Sequence, residues 1–376
     1  MTFTVTPLFG SEFQESAARF AKDANQNNST HLSSNEKHLL RERKWNEAIE
    51  LGWAACLIPE HSGGLGASLE DFCGLLEGTA QYALPLPISS GMGLPAILLS
   101  SLDFKGKDEL LSSISEGSVR IQPIFQTLDP FVRQMSREMT LRIETQADSN
   151  VLSGKVSGVE QIPGATHFLL CCANQQNVPG LWLIPCQEVH PALSLEIRID
   201  SRDSMSLTFQ DQPLSNDRRI AHGPALEKAF EKMFNYGALF SCVEAAACMG
   251  SVLEQTIRYL SERKQFGVTL STFQVLRHDI ADVYAKYDSI RAFVTAFVRR
   301  VSATGDCPSR ELSLLKLYLS EVGPKLAHTV IQVHGGMGMT EELWATRLNK
   351  RILMTNLEFG DGQFHAERAL TTTQAD

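Results

Sequence analysis

The spacing of apolar residues changes twice along the chain. From Ser11 to about Glu116 it is helical, with turn-rich breaks. Phe13, Ala17 and Phe20 share one face, and Leu39, Leu40, Trp45, Ile49 and Trp53 continue the pattern. Pro59-Glu60-His61-Ser62-Gly63-Gly64-Leu65-Gly66 interrupts it, because one proline and three glycines in eight positions cannot continue a helix. Ser68 then suits the N-cap of a helix running through Leu76. From about Ile121 to Arg219 short apolar runs closed by turn residues predict strands: Val151–Val156, Phe168–Cys172 and Leu181–Ile184, with Leu195–Ile199 and Met205–Phe209 alternating cleanly. From about Ala225 the helical period returns. Tyr236, Leu239, Phe240, Val243, Ala247, Gly250, Leu253, Ile257 and Leu260 form one stripe. Further helices are predicted over Thr272–Val301 and Arg310–Val333, and long stripes of this kind pack as an antiparallel bundle. The expectation is an α+β chain with an N-terminal helical domain (1–118), a middle β-sandwich or barrel domain (119–220) and a C-terminal four-helix bundle (221–376).

Composition narrows the class. The 376 residues are enough for two or three modules, and 43% hydrophobic with 20% charged residues is a globular balance. The net charge of −9 shows no basic excess for nucleic acid. The clusters Arg299-Arg300 and Arg347, Lys350, Arg351 read as solvated helix faces. The first residues lack a basic start followed by an apolar run, and no run approaches the roughly 18–20 apolar residues of a membrane span. The eight cysteines show no CxxC spacing and sit mostly in apolar runs, as reduced buried thiols do. No metal-ligand cluster stands out. A cytoplasmic protein is expected.

Three motifs fall on this framework in order. Leu51-Gly52-Trp53-Ala54 leads into the Pro59–Gly66 break. Tyr259-Leu260-Ser261-Glu262-Arg263-Lys264-Gln265-Phe266-Gly267, followed by Phe273-Gln274, ends the first bundle helix. Gln332-Val333-His334-Gly335-Gly336-Met337-Gly338-Met339-Thr340-Glu341 ends the third. Together they resemble the "PE–GG–G", "Y–R–QFG … FQ" and "Q–HGG–G–T–E" motifs of the acyl-CoA dehydrogenase family, over residues 40 to 370. Each has a physical use. A guanidinium at Arg263 can grip a pyrophosphate by paired hydrogen bonds. Phe266 offers a flat apolar face to a nucleotide ring. Paired glycines let the backbone approach a ligand. The resemblance implies that Arg263, Gln265, Phe266, Gln274, Gln332, His334, Gly335 and Gly336 hold the ADP half of FAD bound mainly by a neighbouring subunit.

The same resemblance exposes what is missing. α,β-Desaturation of an acyl-CoA thioester needs a carboxylate to take the α-proton while a hydride leaves for the flavin. The family places that glutamate before the glycine of a C-terminal "YEGT" turn, or on the first bundle helix 26 residues before the signature arginine. Here those positions are Phe359 and Gly237. Glu358 is one residue away, Glu244 two turns further along the helix, and Asp361 and His365 are minor candidates that usually cap helices or lie at the surface. The loops expected against the flavin ring also depart. Pro123–Pro130 replaces "TEP–GSD", and Gly154–Val159 has no tryptophan where "W–TN" is expected.

Some bacterial family members are α2β2 assemblies of two unlike chains acting on bulky steroid-side-chain thioesters, one chain carrying the base and the other completing the FAD site. This chain resembles the completing subunit, with a second acyl-CoA dehydrogenase-like subunit, an acyl-CoA substrate and electron-transfer flavoprotein as expected partners. The alternatives are a homotetrameric dehydrogenase using Glu358, a monooxygenase or nitroalkane oxidase relative, and a structural relative that has lost FAD.

Overall fold

The computed structural model describes residues 4–26, 33–125, 141–146, 149–173, 178–340 and 343–371. In chain order the helices are α1 (Glu12–Gln26), α2 (Ser34–Glu50), α3 (Leu69–Ala80), α4 (Leu94–Ser100), α5 (Lys107–Ser115), α6 (Pro224–Glu262), α7 (Gln274–Thr304), α8 (Ser309–His334), α9 (Trp344–Thr355) and α10 (Gly362–Thr371). Between α5 and α6 lie β1 (Ile121–Phe125), β2 (Arg142–Gln146), β3 (Ser149–Glu160), β4 (His167–Ala173), β5 (Pro179–Pro185), β6 (Ala192–Ile197), β7 (Asp203–Leu214) and β8 (Arg219–His222). The order helical, β, helical along the chain is the predicted one. The short strands β1, β2 and β8 were not singled out by the apolar pattern. By contacts the chain forms two compact units, Met1–Leu32 with Leu69–Leu84 and Asn235–Asp376, and Ser33–Ser68 with Pro85–Phe234.

In the second unit α2 begins at a capping box: Ser33 accepts from Glu36 N, and the Glu36 carboxylate returns to Ser33 N. The predicted break is a turn of 3-10 helix at Glu60–Ser62, and it requires glycine, since a Cβ at Gly64 would fall on the Ile58 carbonyl. Two four-stranded sheets follow, ordered β1-β4-β5-β8 and β2-β3-β7-β6. Side chains from both sheets, including Ile124, Leu152, Leu170, Trp182, Leu207 and Phe209, fill one core, which gives the expected sandwich.

In the first unit α8 packs against α7, α9 and α10, and α1 packs on α3. α6 belongs here from Asn235 onward. Among the described residues α6 is the helix long and apolar enough to cross a membrane, contrary to the expectation that no such segment exists. Its most apolar window is 94% buried within the chain, so these side chains form protein core. The aromatic residues of α7 divide. Tyr287 and Phe297 are buried, whereas Tyr284 is 40% exposed.

One buried carboxylate ties the N-terminal segment to this unit. Glu77 is 1% exposed and accepts from Leu8 N at 2.6 Å and Phe9 N at 3.0 Å. Burial outweighs these bonds and pushes its pKa from 4.5 up to about 7. The folded protein therefore binds the extra proton between these values. The stability gained is full below about 4.5 and is lost as the pH rises through about 7. Glu77→Gln is expected to flatten the fall in denaturation midpoint between about pH 5 and about pH 8. An unchanged pH profile would show that Glu77 is ionised throughout.

Candidate functional site

The two catalytic positions read from sequence meet in space. Gly237 lies on α6 and Phe359 in the turn after α9, and the Phe359 ring stands directly against the glycine. A Cβ built at Gly237 would lie 2.6 Å from Cδ1 and from Cζ of that ring, closer than real contacts allow. The ring therefore fills the space that a glutamate at Gly237 would need, so the two alternative base positions address one site. Phe359 holds φ +57°, a left-handed conformation that bulky residues rarely adopt.

Two of the other carboxylates considered, Glu244 and Asp361, are engaged elsewhere. Glu244 accepts from Arg351 Nη1 at 2.9 Å, while Arg351 Nη2 donates to Leu84 O at 3.0 Å. Arg351 is 2% exposed, so it does not belong to a solvated basic face as the sequence suggested. Four polar residues among the five of Arg347–Arg351 concealed that it turns inward to reach Glu244. Asp361 accepts from Phe364 N at 2.9 Å and caps α10, as a helix-start aspartate does. His365, expected at a cap or surface, is instead fully buried, and burial, reinforced by the Lys316 charge, lowers its pKa to about 3. For Glu358, the main-chain carbonyl receives the Lys316 ammonium at 2.7 Å. Lys316 was not foreseen. Its only signal was a lysine in phase with Leu312, Leu315 and Leu319 on a buried stripe.

The proposed cofactor residues form a second, outward-facing group. α6 ends at Glu262, and Lys264–Gln265 pairs with Val268–Thr269 as a two-residue hairpin. Phe266 and Gly267 make its turn, both at positive φ, and the Phe266 side chain is 90% exposed. Arg263, Gln265 and Gln274 are exposed as well, and among the described residues the Arg263 guanidinium makes no hydrogen bond or ion pair. Gln332, Gly335 and Gly336 are exposed at the end of α8, and a Cβ at either glycine would meet nothing within 4 Å. His334 differs from the rest of the set. It is buried, with Nδ1 2.8 Å from Val330 O, and its ring stacks on Tyr259 at 4.4 Å. Burial lowers its pKa, so the neutral ring donates from Nδ1 to that carbonyl. The Tyr259–His334 stack fixes the end of α6 beside the end of α8 and so brings the two halves of the group together. Glu341 lies outside the described residues.

Of the two loops expected at a flavin ring, residues 126–130 lie outside the described residues. The second lies on β3, whose last residue, Glu160, is 3.0 Å from Arg202, itself paired with Asp200 at 2.6 Å. Ser90 also donates to Glu160. That end of β3 is thus closed by ion pairs. A cavity of about 760 Å³ in the first unit, walled by Tyr82, Tyr259, Tyr287 and Trp344, contains none of the eight proposed cofactor residues and neither base position.

Residues 10–111 match the family description "Acyl-CoA dehydrogenase, N-terminal domain" and residues 228–370 match "Acyl-CoA dehydrogenase, C-terminal domain". Acyl-CoA dehydrogenase IpdE2 of Mycolicibacterium smegmatis is 25% identical over 78% of this chain and 75% of its own. In the ChsE4-ChsE5 complex from Mycobacterium tuberculosis, a chain 19% identical superposes with a TM-score of 0.79, covering 99% of both chains. An acyl-CoA dehydrogenase from Bacillus anthracis solved with FAD, 18% identical, superposes at 0.81 over 99% of this chain and 68% of that one. With both terminal domains matched and the three motifs set at the ends of the helices that carry them, this chain belongs to the acyl-CoA dehydrogenase family.

Proposed function

We propose that the chain is the completing subunit of a heteromeric, FAD-dependent acyl-CoA dehydrogenase that desaturates a bulky, steroid-side-chain-like acyl thioester. The observation that carries this reading is the Phe359 ring against Gly237, which leaves neither base position with a proton acceptor. The outward-facing group supports the other half of it. The Arg263 guanidinium, the exposed Phe266 ring and the open glycines Gly335 and Gly336 fit a pyrophosphate and a nucleotide ring. When bound, FAD supplies the acceptor for the hydride. This chain's part is to hold the ADP half, with Arg263 and Gln265 on one side and Gln332 and the glycines on the other. The base, the ring pocket and the substrate cavity belong to the partner. Similarity to one chain of the ChsE4-ChsE5 complex supports the heteromeric arrangement, and similarity to the Tcur3481-Tcur3483 steroid acyl-CoA dehydrogenase (21% identical, TM-score 0.79) supports the bulky substrate.

Co-expression with a candidate partner, followed by mass and flavin content, tests the assembly. One FAD per pair of unlike chains is expected. Two per pair would place a complete flavin site on this chain. In the same complex Arg263→Ala is expected to weaken FAD retention about ten- to a hundredfold, the loss of a charge-assisted contact of roughly 1.5–3 kcal/mol. Equal flavin occupancy in wild type and variant would reduce Arg263 to a surface arginine.

A further inference from the structure

Two buried side chains with no part in cofactor binding converge on the turn that carries Phe359. Lys316 is 1% exposed, and its ammonium donates to Thr355 O at 2.8 Å, Glu358 O at 2.7 Å and Ser241 Oγ at 3.1 Å. The Ser241 hydroxyl is itself directed to Ala238 O at 2.8 Å, so its oxygen faces the lysine as an acceptor. None of the three acceptors is a carboxylate, which makes this a costly place for a charge. His365 has Nε2 2.9 Å from Phe359 O and Nδ1 3.1 Å from Ser313 Oγ. As a neutral ring it donates from Nε2 to the carbonyl and accepts the serine hydroxyl at Nδ1. The charges that bear on it come from Lys316 on α8 and Arg368 on its own helix.

The geometry has a specific consequence. A peptide unit is planar, so a residue's φ and ψ are the rotations between the two planes that flank it. Lys316 holds the plane before Phe359 through Glu358 O, and His365 holds the plane after it through Phe359 O. Both dihedrals of Phe359 are therefore pinned, in a conformation (φ +57°) that persists only where the surroundings enforce it. Capping of the free carbonyls at the end of α9 explains the bond to Thr355 O. It does not explain why the two planes around this one residue are each gripped by a separate buried group.

We infer that Lys316 and His365 are positioning residues for Phe359: they lock its ring against Gly237, so that the acyl site of this chain stays filled and the thioester is taken only by the partner. This rests on reading the chain as the completing subunit. The test uses the full chain carrying 4-fluorophenylalanine at position 359 and, as the probe, butyl-CoA, a thioether that lacks the carbonyl needed to acidify an α-proton and so cannot be dehydrogenated. Wild type is expected to give one fluorine resonance that butyl-CoA leaves in place. Lys316→Met and His365→Leu are each expected to split or broaden it and to make it respond to the probe. A single, unshifted resonance in these variants, folded by circular dichroism, would overturn the inference. Should the variants not fold, nitrogen shifts of the His365 ring in the unaltered chain decide the matter. A neutral Nε2–H tautomer down to about pH 4 is expected, and a ring protonated at about pH 6 or carrying its proton on Nδ1 refutes the brace. Failure of the underlying reading looks different. A lone chain that dehydrogenates butyryl-CoA while its fluorine resonance stays locked refutes the completing-subunit role and leaves the brace intact, whereas a mobile ring in an inactive chain does the reverse.

Discussion

Purified without a partner, the chain is expected to turn over acyl-CoA thioesters about 10²–10⁴-fold more slowly than the complete assembly, the range that loss of a general base produces. At the one location that both family base positions address, the structure places an aromatic ring on a glycine. Glu244, two turns further along the same helix, is neutralised by Arg351, and Asp361 caps a helix. Gly237→Glu alone is expected not to restore activity, because its Cβ would collide with the Phe359 ring. Pairing it with Phe359→Ala would relieve the collision but would not supply the flavin-ring side. Reduction of an artificial electron acceptor by the lone chain, beside the reconstituted complex, measures the difference. Full activity as a homo-oligomer that disappears with Glu358→Gln would show that the base sits one residue before the position assigned to it.

Separating Glu244 from Arg351 is expected to have the largest effect on stability. Their side chains are 9% and 3% exposed, and the guanidinium also holds the Leu84 carbonyl at the end of the segment that follows α3. Removing one member of a buried pair leaves the other charge without compensation and costs about 3–5 kcal/mol. For a chain of 376 residues Arg351→Met or Glu244→Leu should lower Tm by roughly 4–6 °C. The double substitution should cost less than the sum of the two, since no lone charge remains. Single variants that melt within about 1 °C of wild type would show that water reaches the pair and screens it.

The sequence by itself determined the order of the elements and the placement of the three motifs at the ends of their helices. Both are local properties. A helical stripe, an alternating strand and a glycine-rich stop are written in consecutive residues, so α7 and α8 fall within a few positions of their predicted ends. Arg263, Phe266, Gly335 and Gly336 are recognisable because each stands at a helix terminus, where a short motif suffices. β1, β2 and β8 were less legible because they are four or five residues long, too short for a period to register. What only the tertiary structure decided depends on side chains far apart in the chain. That Gly237 and Phe359 share one space, that Arg351 turns inward to Glu244, and that His334 serves as a stacking partner for Tyr259 all follow from how α6, α8 and α9 pack. Lys316 and His365 are the clearest case. A lysine on a leucine stripe and a histidine past a turn carry no local mark of purpose. Their role exists only where folding brings both to the two peptide planes around Phe359, because a hydrogen bond is specified by distance and direction in space.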